Sequence, residues 1–493
     1  MKISIDKSSK VPVYLQIADQ IKAQIISGAL PRSSALPSER ALAQILDVHR
    51  NTVVKAYGEL KSDAWIESRQ GVGYLVASAS TEKEPVGESG EGVQMGRVNW
   101  VNEVADKYLD MEKTFDDLFQ RFTDESHFSL GSGVASREVY SSERVAHDIA
   151  GLLTGSGPSQ YFFSPYKGDR FLRQKLASFL GTKGVKASSG EIQILSETNQ
   201  ALDFIVTLLV KPGDSVVMEE PVHPDMYRVM ELAGARILTV PVDEDGMNCD
   251  VLESLLTQTR PRLIFVNSSF HDPTGCILSL ERRKKLVELS SRYRIPIVEE
   301  DAASELVYDG DKLPPIKAFD TTGNVIYIYS FSLTFIPGLS LAFVTGNRDF
   351  VRALSYLVSV RLMASDWMTQ KLLGMYLDDG SYYSSLATFR EIYSGNRDLV
   401  CQKLDALAHL GVRYERPRGG VYVWCRLPDG VDSKHFINRA YNMGVTLIPG
   451  HVFYPYKNGG RDYIRINYSY ESRERLACGM DVLHKALEEE LEE

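Results

Sequence analysis

The stretch Ala77 to Gly96, ASASTEKEPVGESGEGVQMG, contains no aromatic residue and is dominated by Ser, Gly and Glu. Such a composition cannot bury enough apolar surface to fold, so it reads as a linker. As a coil it spans about 25 Å, at roughly 5–6 Å times the square root of its length. It divides the 493 residues into a short N-terminal part and a long C-terminal one. At about 100–200 residues per domain, the length calls for two to four domains. The expected division is a domain at 1–76, a linker at 77–97 and a large domain at 98–493, with a smaller α+β lobe from about 383.

The net charge of −10 excludes a chain coated for non-specific contact with nucleic acid or anionic lipid. Its distribution is uneven: residues 1–77 hold 10 Lys and Arg against 7 Asp and Glu, and the remainder holds 45 against 58. The small basic excess is therefore N-terminal. Five scattered cysteines without a C-x-x-C pair give no sign of a disulfide framework or of a structural metal. The opening MKISIDKSSKVPVYLQ lacks a signal-type apolar core, and no run approaches 18 apolar residues. A cytoplasmic protein without a membrane partner is expected.

Within the first part, VYLQIADQIKAQIISG has Val13, Leu15, Ile17, Ile21, Ile25 and Ile26 largely at helical spacing, with Gly28 at the stop. Ser38 is an N-cap for a second helix running to about Ile45. A turn at 46–48 leads into a third helix, HRNTVVKAYGELKSD, with Val53, Val54, Ala56, Tyr57 and Leu60 as its buried stripe. Residues 65–69 and 74–76 flank Gln70-Gly71-Val72-Gly73 as two short strands. Helix, helix, turn, helix and hairpin compose a winged helix-turn-helix.

LPSERALA, VHRNTVVKAYGEL and WIESRQGVGYLV, in that order over about 70 residues, closely resemble the DNA-binding domain of GntR-type regulators. The resemblance implies a double-stranded DNA operator as partner. The third helix opens on His49, Arg50, Asn51 and Thr52, side chains able to reach base edges and phosphates. Arg40 joins the same face by the resemblance, and Arg69, Gln70 and Gly71 form the wing.

From about residue 98, amphipathic helices alternate with short apolar runs, among them SVVMEE, RLIFVNSS, IPIVEE, VIYIYSFS and LAFVTG. That alternation predicts a mostly parallel sheet covered on both faces. GGVYVWCRLPDG and DYIRINYSY mark the smaller lobe. The segments 199–221, 271–275, 299–310, 330–346, 444–454 and 462–468 together resemble the fold-type I aminotransferases, and the tandem resembles the MocR subfamily of GntR regulators.

That family forms a Schiff base between pyridoxal phosphate and a lysine in an S-x-S-K-T segment. The corresponding segment is Ser330-Phe331-Ser332-Leu333-Thr334, and no lysine lies between Lys317 and Lys371. Leucine has no nucleophilic nitrogen, so the bond cannot form at that position. By the same resemblance, Ser340 stands where an arginine holds the phosphate, and Glu197-Thr198 stand where a small step cups it. His223 and Ala302-Ala303 replace tyrosines. Arg465 matches the arginine that grips a substrate carboxylate, and either Glu300 or Asp301 matches the acid facing the pyridine nitrogen. Asp272, often an asparagine in the family, is expected to pair with Arg465.

The reading is a DNA-binding transcriptional regulator, not an enzyme and without a cofactor, whose aminotransferase-like domain forms a homodimer and senses a small-molecule effector. An active pyridoxal-phosphate aminotransferase requires the missing lysine. A ligand-free interaction module fits the sequence as well as a sensor does.

Overall fold

The computed structural model describes Ile3, Ile5 and residues 12–26, 29–31, 34–46, 48–62, 65–69, 73–76, 126–136, 138–155, 165–362, 366–456 and 459–492. The stretch read as a linker lies outside them. The chain divides into two compact units, Met1–Val98 and Asn99–Glu493.

In the first unit, α1 (Val13–Ile26) places Ile17 and Ile21 one turn apart, both fully buried, and packs on α3 (Arg50–Ser62). The helix α2 (Glu39–Leu46) begins where Ser38 Oγ accepts the Ala41 N–H at 3.3 Å, satisfying a donor that a helix start leaves free. The inner stripe of α3 is Val53, Ala56, Tyr57 and Leu60. Val54, expected in that stripe, is instead 39% exposed. It lies about 100° around the helix from Val53, which turns it toward the side of Asn51.

Tyr57 donates to the Pro37 carbonyl at 2.8 Å, and its ring meets Tyr74 edge-on at 4.9 Å. These contacts fix α3 to the segment before α2 and to the hairpin. The hairpin pairs β1 (Ile66–Arg69) with β2 (Gly73–Val76) in antiparallel register, Arg69 opposite Gly73. Gly73 has φ +98°, a conformation that glycine adopts without a Cβ penalty.

The second unit is built on an eight-stranded sheet in the order β4 (Ile192–Leu195), β11 (Ala342–Thr345), β10 (Val325–Ser330), β9 (Ile297–Asp301), β8 (Ile264–Asn267), β5 (Ser215–Glu220), β6 (Arg236–Asp243) and β7 (Gly246–Met247). All five apolar runs read as strands lie in it. The strands β10, β9, β8, β5 and β6 are mutually parallel, and β11 runs against both of its neighbours. Side chains alternate between the faces, as the pleat requires. Val216, Met218 and Val298 pack beneath the helices Thr198–Leu209 and Pro224–Leu232, whereas Val217 and Ile297 pack on the opposite face.

The smaller sheet has the order β12 (Arg413–Tyr414), β13 (Tyr422–Arg426), β16 (Tyr463–Asn467) and β15 (Ile448–Pro449). Across β13 and β16, Trp424 lies opposite Arg465, and the Trp424 ring stacks on Tyr463 at 5.0 Å. The expected lobe start at about 383 falls inside the helix Ser381–Ala406. The smaller lobe is not purely C-terminal, however. β3 (Phe128–Ser129), near the start of the unit, pairs in parallel with β14 (Val445–Thr446). A two-residue pairing across more than 300 positions leaves no periodicity for a sequence reading to detect.

Candidate functional site

The start of α3 is the exposed end of the first unit's helical pair. His49 Nδ1 accepts the Asn51 N–H at 3.2 Å, so His49 serves as a cap, and His49, Arg50 and Asn51 are exposed. Thr52 is half-buried and Arg40 is exposed on α2. Arg50 is not a free donor: its Nη2 lies 2.9 Å from Glu39 Oε2, while Tyr74 donates to Glu39 Oε1 at 3.1 Å. The Arg50 hydrogen bond holds the Glu39 carboxyl below its ordinary range. One carboxylate on α2 thus ties α3 and the hairpin to that helix. Arg69 closes β1, and Gln70 and Gly71 fall outside the described residues.

The second unit has a cavity of about 380 Å³ at the C-terminal ends of β8, β9 and β10, where ligands of open α/β sheets bind. Its wall includes Glu197, Thr198, His223, Asp272, Glu300, Ser332, Leu333 and Ser340. Glu197 and Thr198 arrive at the start of the helix Thr198–Leu209. His223 caps the helix Pro224–Leu232 by accepting the Asp225 N–H at 3.3 Å. Leu333 is buried among the apolar side chains that follow β10.

Three residues expected at the pocket do not line it. Ser330 is buried at the end of β10 and donates to Ser332 Oγ at 3.1 Å, behind the wall. Asp301 turns the other way, because neighbours on a strand alternate faces. It accepts from Ser304 Oγ at 2.6 Å and Tyr327 at 2.5 Å, and Lys183 Nζ lies 3.5 Å away. Burial opposes ionisation of Asp301, but Lys183 and these hydrogen bonds hold its carboxyl below the ordinary range. Of the two acids left open by the sequence, Glu300 therefore faces the cavity.

Arg465 is the third. It sits behind Asp272, with Nη1 2.7 Å from both carboxylate oxygens and Nη2 donating to the Gly131 carbonyl at 2.9 Å. Its guanidinium stands 4.2 Å from the Tyr422 ring centroid. Burial works against the cation, but Asp272 outweighs it and the Arg465 pKa rises above its ordinary value.

Sequence reasoning missed Asn267, Asp225 and Tyr422, which also line the cavity. Asn267 joins two buried acids: its Nδ2 donates to Glu300 Oε2, and its backbone N–H donates to Glu219 Oε2 at 2.7 Å. Burial is the main cause pushing both Glu219 and Glu300 up to about 8. The signal for Asn267 was available, since it is the polar residue ending the apolar run IFVN at a strand's C-terminal end.

Residues 125–481 match the family described as aminotransferase class I and II. The chain belongs to that family. Among solved aminotransferases, the kynurenine aminotransferase of Pyrococcus horikoshii superposes with a TM-score of 0.74 at 27% identity, over 80% of this chain and 98% of its own. Residues 13–76 match the bacterial regulatory proteins of the gntR family. The tandem recurs in relatives: the uncharacterized HTH-type transcriptional regulator YisV of Bacillus subtilis is 27% identical over 96% of both chains. The probable rhizopine catabolism regulatory protein MocR of Rhizobium meliloti is 28% identical over 90% of this chain and 88% of its own. The protein is thus a GntR-type DNA-binding regulator fused to an aminotransferase-like domain. Among the described residues, no helix is long and apolar enough to cross a membrane.

Proposed function

We propose that the protein is a cytoplasmic, sequence-specific transcriptional regulator whose aminotransferase-like domain dimerises, carries no covalent pyridoxal phosphate and responds to a small-molecule effector. What supports this reading is Leu333, which lines the cavity and which, by the resemblance of Ser330-Phe331-Ser332-Leu333-Thr334 to the family's S-x-S-K-T segment, stands where the Schiff-base lysine is expected. The residues present do not fit pyridoxal phosphate. Neither lysine nor arginine lines the cavity among the described residues, and Glu197 stands at the helix start that would receive the phosphate. A carboxylate there opposes a dianion, where the helix terminus alone would favour one.

On the DNA side, Arg40, His49, Arg50, Asn51 and Thr52 contact the operator from one surface, with Arg69, Gln70 and Gly71 as the wing. Glu39 pre-orients Arg50, which lowers the ordering cost of a base contact. The domain division at 1–76, 77–97 and 98–493 belongs to the same reading, since the first domain binds DNA and the last pairs two copies for two half-sites.

The test combines two measurements on the full chain and one on its large domain. After incubation with pyridoxal phosphate and borohydride, mass spectrometry is expected to show no stoichiometric adduct. Selection on random duplexes is expected to return one two-fold-related site. Residues 98–493 are expected to sediment as a dimer at micromolar concentration. A stoichiometric adduct overturns the absence of the cofactor, the lack of any selected site overturns specific DNA binding, and a monomer overturns dimerisation.

A further inference from the structure

Among the described residues of the first unit, only Ile45 on α2 and Val54 on α3 are large apolar side chains left exposed. The helix α3 is the second of the helix-turn-helix, the element that such domains lay in the major groove. Counted from Arg50 at about 100° per residue, Val54 stands about 40° round this helix, Gly58 about 80°, Asn51 about 100° and Lys55 about 140°. Both flanks of that arc are taken. Arg50 is bonded to Glu39 on α2, and Lys55 Nζ stands 6.0 Å from the centre of the Tyr14 ring on α1. Between them lie Asn51, Val54 and Gly58, all exposed, and a Cβ added at Gly58 would meet nothing within 4 Å. This strip is therefore open along about two turns of the helix.

Asn51 is the one side chain on the strip that carries hydrogen-bonding groups. Val54 can neither donate nor accept. Of the groups that base pairs present in the major groove, one is apolar, the 5-methyl group of thymine. Against any other base edge a valine would strip water from a donor or an acceptor and put no hydrogen bond in its place. Gly58, one turn further on, adds no side chain that would hold the helix away from the bases.

We propose that Val54 is a specificity-determining residue, packing on the 5-methyl group of a thymine in the operator. The proposal rests on the reading that the first unit binds a specific duplex through this face, and it adds the one base that the valine selects.

The test uses the duplex selected by the full chain, each thymine being replaced in turn by deoxyuridine, which keeps every hydrogen-bonding group and lacks only the methyl. At least one thymine is expected to lose about fourfold in affinity on replacement, the worth of one buried methyl group. Val54→Ala shortens a side chain that is 39% exposed and leaves the buried stripe of α3 intact. This variant is expected to bind the thymine and deoxyuridine duplexes equally, with its affinity for a non-specific duplex unchanged. A selected site in which no thymine depends on its methyl overturns the proposal and leaves the regulator reading standing. A preference for thymine that persists at full size in Val54→Ala overturns it as well. If the full chain selects no site, the reading beneath falls and the proposal with it.

Discussion

Asp272 holds Arg465 through both carboxylate oxygens, each 2.7 Å from Nη1, in a site where the arginine side chain is 2% exposed. By the family resemblance Arg465 is the residue expected to grip a ligand's carboxylate, and here a carboxylate of the protein itself holds it. Asp272→Asn leaves the buried guanidinium uncompensated, and the loss is expected to reach about 3–5 kcal/mol, the usual cost of breaking a buried pair from one side. Urea unfolding of the large unit measures it. The same variant is expected to bind phenylalanine more tightly than the parent does, because Arg465 becomes available. A variant as stable as the parent and equally indifferent to phenylalanine refutes this assignment.

Arg50 and Glu39 form a half-exposed pair, so their mutual contribution to stability is expected to be at most about 1 kcal/mol. Arg50→Ala should therefore leave the melting temperature of the N-terminal unit nearly unchanged. Its affinity for the selected duplex should fall at least about tenfold, since a bidentate base contact is worth roughly 1–3 kcal/mol. Fluorescence anisotropy with labelled duplex reads the second effect, and unchanged affinity removes Arg50 from the recognition surface.

Stability should fall as pH rises from 6.5 to 8. Glu219 and Glu300 keep their protons in the folded protein up to about 8, whereas a glutamate in the unfolded chain releases its own near 4.5. Between those values the folded state binds more protons, so each group costs up to about 1.4 kcal/mol per pH unit as pH rises. His271, 3.6 Å from Glu219, is driven by burial from 6.5 down to about 4, so its contribution is lost as pH falls across that window. Between 4.5 and 6.5 the slope of His271 offsets that of one of the two glutamates, and above 6.5 neither glutamate is offset by it. Glu219→Gln should flatten the fall in urea midpoint from pH 6.5 to 8. An identical slope in parent and variant means that Glu219 is already ionised at pH 6.5.

Under the proposed reading, a lysine placed at 333 is not expected by itself to bring in the cofactor. In Leu333→Lys an amine enters the wall, but Glu197 and Ser340 still provide no cation for a phosphate. After gel filtration, the variant is expected to show less than one tenth of the absorbance of a protein-bound aldimine. A stoichiometric band would place the loss of the cofactor in the lysine alone.

Local chemistry made much of the protein legible beforehand. The N-cap at Ser38, the helical stripe of α3 and the apolar runs of β5, β8, β9, β10 and β11 are each encoded within a few residues. Two kinds of information were not local. The choice between Glu300 and Asp301 depends on the phase of a strand buried on both faces, where no polar alternation marks the outside. The pairing of β3 with β14 depends on a chain closure that neither segment signals. The ion pair of Asp272 with Arg465 was foreseeable because the aspartate differs from the family's asparagine in the one property that an adjacent arginine responds to.

The stacking of Trp424 on Tyr463 has a practical consequence. Trp424 lies on β13 two residues after Tyr422, on the same side of the strand, and opposite Arg465 across the sheet. Tyr422 borders the cavity, so the strand that would meet the proposed effector also carries an indole whose emission is sensitive to its stacked neighbour. Under that proposal, filling of the cavity is expected to be readable in the protein's own fluorescence, without a dye.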